Sequence, residues 1–153
     1  MRISAKADYA VRAAAELAAY QASGLPAKSE QLAITQSIPQ KFLENILSEL
    51  RRAGIVRSQR GSDGGYFLAR PATEVTVADV LRAVEGPLAA VQGTRPEALD
   101  YGGAAAFLPE VWVAARSSLR SVLEHVSLAD IASGNLPAVV RDQTRAKESW
   151  RPH

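Results

Sequence analysis

Gln40, Lys41, Glu44 and Asn45 are spaced so that a helix would carry all four within a turn and a half, on one outward arc. Their chemistry is that of base-edge recognition. Gln and Asn can bond adenine at two adjacent atoms, Lys donates to guanine, and Glu accepts from cytosine N4. Taken alone, the four are also ordinary polar residues on the wet face of an amphipathic helix. Their basic neighbours shift the balance. Arg51-Arg52 close the same segment, and Arg57 and Arg60 lie just beyond, with Arg60 beginning the run Arg60-Gly61-Ser62-Asp63-Gly64-Gly65. Glycines at such a tip let the backbone approach a phosphate, and a guanidinium there can enter a narrow minor groove. A turn that merely closes a hairpin accounts for Gly61, Gly64 and Gly65 but not for the basic cluster of Arg57, Arg60 and Arg70. The expected duplex-contacting set is therefore Gln40, Lys41, Glu44, Asn45, Arg57, Arg60 and Gly61.

The elements that must position these residues can be read from the pattern. Residues 4–21 predict a helix capped by Ser4, with Tyr9, Ala13, Leu17 and Tyr20 at helical spacing and Gly24-Leu25-Pro26 as its stop. Residues 28–36 predict a short second helix, and Ser37-Ile38 a brief turn. Residues 39–53 predict a third helix, with Pro39 at its start and Gly54 after its end. Its apolar face is expected to comprise Phe42, Leu43, Ile46, Leu47 and Leu50. The β-like runs 55–59 and 66–68 flank the glycines and predict a hairpin. Thr76 and Asp79 mark the start of a helix over 76–85. The order helix, helix, turn, helix, hairpin is that of a winged helix-turn-helix, in which the helix after the turn enters the DNA major groove.

The second half reads differently. Residues 87–107 lack a steady period and form a long loop. Leu108, Trp112, Ala115, Leu119, Val122 and Val126 then repeat at spacings of three and four, a two-heptad seam on one helix of about 109–126. One small domain could not cover that seam fully, so dimerisation through it is expected. Ser127 and Asp130 start one more short helix, ended by Gly134 and Pro137. Residues 141–153 are polar and read as a loose tail. The expected division is 1–86, a DNA-binding domain; 87–107, a loop; 108–134, dimerisation helices; and 135–153, a polar tail. Trp112, Phe107 and Tyr101 form a candidate effector pocket, although a Trp at helical spacing more often packs in a core or an interface. His125 reads as a surface residue near a helix end and His153 as tail.

Composition excludes several classes of function. The chain of 153 residues has no cysteine, which removes disulfides, thiolate zinc sites, cysteine-ligated clusters and cysteine nucleophiles. Two histidines are too few for a histidine-built metal site, and no apolar run is long enough to span a bilayer. The basic, Ala-rich start contains Asp8 and Glu16 and reads as a helix, not a secretory signal, so the cytoplasm is the expected compartment. No Ser/His/acid grouping is apparent, and the glycines of 61–65 lie within a hairpin and not at a strand-to-helix turn, so an enzyme is not expected. Residues 1–71 carry ten Lys and Arg against six Asp and Glu, a net +4, while residues 72–153 carry eight against ten, a net −2. The basic half is the one expected to meet a polyanion.

The stretch IPQKFLENILSELRRAGIVRSQRGSDGGYFLARP, residues 38–71, resembles the signature of the Rrf-two family of bacterial transcription regulators. The matching positions are Ala53-Gly54-Ile55-Val56, Ser58, Arg60-Gly61, Gly64-Gly65-Tyr66 and Leu68-Ala69-Arg70, and residues 3–18 resemble the family's first helix. The resemblance implies a mainly α fold with a small β-hairpin, a winged helix-turn-helix domain plus a long C-terminal dimerisation helix. It implies a homodimer, a repressor in the favoured reading, on a near-palindromic double-stranded operator. Base reading falls to Lys41, Glu44 and Asn45, and minor-groove insertion to Arg60. Cluster-bearing relatives carry three cysteines in the segment matching 87–107. This chain has none, which implies a branch without an iron–sulfur cluster or other cofactor. Asp8, near the position of a cluster ligand in some relatives, then reads as a first-turn carboxylate favoured by the helix dipole. The signal would be a small molecule, a protein partner or nothing, and a cluster-free relative brings in sulfur or cysteine metabolism. The alternative is a winged-helix protein-interaction module that does not read DNA.

Overall fold

The computed structural model of the chain describes residues 2–152. Helix α1 spans Ala5–Gln21, and the Ser4 hydroxyl accepts the Ala7 N–H at 3.0 Å, satisfying one of the donors a helix start leaves free. Its buried face is nearly all alanine, with Ala10, Ala13, Ala14 and Ala18 around Leu17. Small side chains let other helices come close, and α1 is the element on which most of the others converge. Helix α2, Ser29–Gln36, ends at Ser37 in the left-handed conformation (φ 52°), which turns the chain so that Ile38 drops into the core. Helix α3, Gln40–Arg52, buries Leu43, Ile46, Leu47 and Leu50. Phe42, expected on that face, is instead 52% exposed and meets Tyr9 edge-on at 6.2 Å. At about 100° per residue, Leu43, Ile46, Leu47 and Leu50 share one arc of the helix, and Phe42 falls roughly 90° from the centre of that arc, past its edge.

Strands β1, Val56–Gln59, and β2, Gly65–Leu68, pair antiparallel from Val56 with Leu68 to Gln59 with Gly65. A contact the sequence did not announce anchors this hairpin. Ala27, just before α2, exchanges backbone hydrogen bonds of 2.9 and 2.8 Å with Tyr66. The two central glycines serve close approach. A side chain at Gly64 would stand 2.1 Å from the Gln59 carbonyl oxygen, and one at Gly65 would stand 2.5 Å from that of Ala27.

Helix α4, Val77–Glu85, carries the reciprocal cap that Thr76 and Asp79 announce: the Thr76 hydroxyl accepts the Asp79 N–H, and the Asp79 carboxylate accepts the Thr76 N–H. Two short 3₁₀ turns, Pro96–Ala98 and Gly103–Ala105, interrupt the loop before α5, Leu108–Leu123. Helix α6, Leu128–Ser133, has the same reciprocal cap, from Ser127 and Asp130. The sequence grouped α6 with the dimerisation region. In the structure it packs on α1, with Leu128 fully buried, its N–H donated to the Val75 carbonyl, and the Val77 N–H donated to the Val126 carbonyl. Val126 therefore lies beyond α5, buried against the first domain, and is not a seam residue. Only side chains within one continuous helix keep its three-and-four spacing on one face, and α5 ends at Leu123. The polar tail is also more ordered than expected: α7, Ala138–Thr144, and a 3₁₀ turn at Lys147–Trp150 occupy it. The Trp150 indole N–H donates to the Thr144 carbonyl at 2.8 Å and closes this end on itself. His153 lies outside the described residues.

Candidate nucleic-acid interface

The start of α3 and the hairpin tip are linked through the start of α2. The Gln40 amide donates to the Ser29 hydroxyl at 3.0 Å, and the neighbouring Lys28 ammonium donates to the Ser62 carbonyl in the hairpin tip. The run Gln40, Ser29, Lys28, Ser62 thus ties the first turn of α3 to the hairpin tip that carries Arg60 and Gly61. Lys28 is a positioning residue that sequence reasoning missed. Its signal, a lone Lys before a short helix, has no meaning until the hairpin folds back onto it.

Within this face the residues differ in what they leave free. Lys41 and Asn45 are exposed, and their side chains make no hydrogen bond or ion pair among the described residues. Asn45 keeps both its donor and its acceptor, the arrangement that pairing with adenine requires. Gln40 is half-buried and uses its amide nitrogen twice, toward Ser29 and toward the Glu44 carboxylate at 3.2 Å. Its carbonyl oxygen alone remains for a base edge, so the two-point adenine contact expected of it is not open in this arrangement. Glu44 is exposed and aligned by that same bond, with acceptor capacity to spare.

Arg60 and Gly61 are exposed at the hairpin tip, and Arg60 has no protein partner among the described residues. Arg57 is more committed. Its guanidinium sits over the Phe67 ring, 4.1 Å from the centroid, a contact that stiffens the hairpin while leaving the charge at the surface. Arg51 donates to the Ser58 hydroxyl at 3.3 Å and ties the end of α3 to β1. Asp8 is in the first turn of α1 and pairs with Arg12 at 3.1 Å.

Away from this face, α5 buries none of its side chains within the chain. Leu108, Ala115, Leu119 and Val122 are half-covered, Trp112 is 36% exposed, and Val111 and Val113 stand out beside them. The three aromatics expected around an effector do not enclose one. Phe107 is 76% exposed, Tyr101 is half-buried in the loop, and neither of the two main clefts among the described residues is lined by any of the three. The larger cleft, about 490 Å³, lies between α4, the following loop and α5. Beside it the Glu124 carboxylate accepts from Arg120 at 2.8 Å and also from Arg82, and these two guanidiniums hold its pKa down at about 2. Its own backbone N–H, then Arg116, lower that of Glu97. His125 is exposed at the turn after α5.

A helix-turn-helix followed by a hairpin wing, with free polar side chains at the start of the second helix, defines a winged-helix regulator. Residues 3–134 match the family model "Rrf2: Iron-dependent Transcriptional regulator", and the chain belongs to the Rrf2 family. The Mycobacterium tuberculosis protein Rv1287, which carries the name of an HTH-type transcriptional regulator, is 52% identical over 154 residues, spanning 99% of this chain and 95% of that one. The solved structure of CymR, described as the global cysteine regulator of Bacillus subtilis, superposes with a TM-score of 0.74 at 32% identity, covering 88% of this chain and 98% of its own. That of T. potens IscR superposes at 0.71 with 30% identity, covering 88% of each. These relatives are transcriptional regulators, not enzymes, and so is this chain. The iron in the family's description finds no fit here. Residues 87–107 offer no thiolate, and among the described residues no three His, Cys, Asp or Glu converge as a metal site. Among the described residues no helix is long and apolar enough to cross a membrane.

Proposed function

We propose that the chain is a sequence-specific, homodimeric repressor that binds a near-palindromic operator in the bacterial cytoplasm, works without an iron–sulfur cluster, and answers to a small molecule or a protein. The observation that carries this reading is the linked face on which Lys41, Asn45 and Arg60 stand exposed without protein partners, beside a Glu44 oriented from within α3. Lys41, Glu44 and Asn45 read bases in the major groove, and Arg60 and Gly61 reach the minor groove. Gln40 and Arg57 hold the helix and the wing in place. Pairing through α5 presents two such faces about one helical turn of DNA apart. Similarity to CymR over most of both chains supports genes of sulfur or cysteine metabolism as the targets.

The test is capture of genomic DNA fragments by the purified protein, sequencing of the bound sites, and titration of the recovered operator at two salt concentrations. Arg60→Ala is expected to weaken binding to operator and to unrelated duplex alike and to reduce the slope of log affinity against log salt by about 1. An unchanged affinity and slope would remove the wing from the interface and favour a winged-helix module that binds protein.

A further inference from the structure

We propose that the cleft between α4, the loop after it and α5 binds a small oxyanion carrying at least two negative charges, of the phosphate or sulfate class. Four guanidinium-bearing side chains line it from three separate segments: Arg82 from α4, Arg95 from the loop, and Arg116 and Arg120 from α5. One carboxylate, Glu97, shares the wall and pairs with Arg116. Glu124, just outside, is divided between Arg82 and Arg120. Four positive charges thus face two negative ones. The Arg95 guanidinium has no ion-pair or hydrogen-bond partner among the described residues; its influence reaches Glu97 only through space. The ion pairs explain why Arg116 is held against the loop and Arg82 against the end of α5, but they leave two charges uncompensated. Each guanidinium carries five N–H donors in a planar fork that matches tetrahedral oxyanions, and most of these donors are unused here. The cleft volume of about 490 Å³ suits a small polar metabolite. A neutral or cationic ligand would leave the excess charge in place, whereas a dianion cancels it.

The ligand would touch both α4, which belongs to the DNA-binding domain, and α5, the proposed dimer arm. In that respect the inference deepens the proposed response to a small molecule. Binding itself is independent of whether the protein reads an operator, so its test contains no DNA. The uniformly ¹⁵N-labelled full chain is titrated with sodium sulfate and with sodium phosphate, against sodium chloride at equal ionic strength. Saturable amide shifts are expected at Gly86, Leu88, Arg95 and Glu97 with the oxyanions but not with chloride. Arg95→Gln, which breaks no ion pair, should raise the dissociation constant at least about tenfold, equivalent to ~1.4 kcal/mol. Adding Arg120→Gln should remove saturation, and Arg60→Ala should leave the affinity unchanged. Shifts that chloride reproduces, that are confined to α3 and the wing, or that survive Arg95→Gln undiminished would overturn the proposal. So would saturation seen only after α5 is made monomeric by Leu119→Glu and Val122→Glu, because the cleft would then be filled by a second copy of the chain.

Discussion

Helices α1 and α5 are of similar length, 17 and 16 residues, yet α1 buries six side chains and α5 buries none. The difference lies in what surrounds them. α1 is enclosed by α2, α3, α4, α6 and the hairpin, so even the alanines of its inner face, Ala7, Ala10, Ala13, Ala14 and Ala18, are sealed from water. α5 touches α4, the loop and α7 along part of its circumference and leaves Val111, Trp112 and Val113 at the surface. An amphipathic helix with no buried residue is incomplete in one chain, because an apolar face gains free energy only when something covers it. One region therefore covers its own apolar faces, while the other leaves an apolar face open, the face that the proposed dimer would cover.

Charge placed on the arm should have the largest effect. Leu119→Glu with Val122→Glu is expected to abolish dimers in sedimentation while the far-ultraviolet circular dichroism of the first domain persists. A double variant that stays dimeric would place the interface elsewhere. Operator affinity should fall with the dimer, because one half-site contact is lost. The counterpart in the domain is Leu47→Ala. Leu47 is fully buried, and its truncation should lower unfolding free energy by about 2–5 kcal/mol in urea titrations without changing oligomeric state. If Leu47→Ala instead altered assembly, the two regions would not be separable.

A smaller effect tests how the domain uses its exposed face. Glu44→Ala removes a negative charge that faces the polyanion, so binding to unrelated duplex should hold or tighten. Discrimination at one base pair in each half-site should fall by about 1–3 kcal/mol, at mirror positions, in titrations of operator variants. Uniform weakening of every duplex would instead mean that Glu44 acts by holding Gln40 in place.

The smallest effect concerns the joint between the two regions. Glu124 has its pKa lowered from 4.5 to about 2 by Arg120 and Arg82. A carboxylate lowered in the folded state binds protons more readily when unfolded, so its contribution is complete above pH 4.5 and lost as pH falls toward 2. The melting temperature of the wild type should drop more steeply than that of Glu124→Gln across this window. Parallel curves would mean that these ion pairs do not fasten α5 to α4. The exposure of the side chains makes the expected difference small.

Local chemistry was the readable part of this protein. Ser4, Thr76 with Asp79, and Ser127 with Asp130 announce helix starts because a cap is formed by residues three apart, whatever the rest of the chain does. Glycines between two β-like runs likewise declare the hairpin, and the polar residues at 40–45 declare a face with base-edge chemistry. Contacts between distant segments carry no such mark. That Ala27 pairs with Tyr66, that Lys28 reaches Ser62, and that Gln40 spends its amide on Ser29 depends on where the wing lands. Phe42 and Val126 show the same divide. Helical spacing placed Phe42 in the core and Val126 on the seam, but the width of the core exposed Phe42, and the end of α5 at Leu123 let Val126 join the first domain. The arginines at 82, 95, 116 and 120 are scattered along the sequence with no spacing that joins them; only packing of α4, the loop and α5 gathers them around one cleft. Short-range hydrogen bonding and periodicity thus determine the elements and the class of this regulator, while long-range packing decides which of its polar side chains remain free to bind.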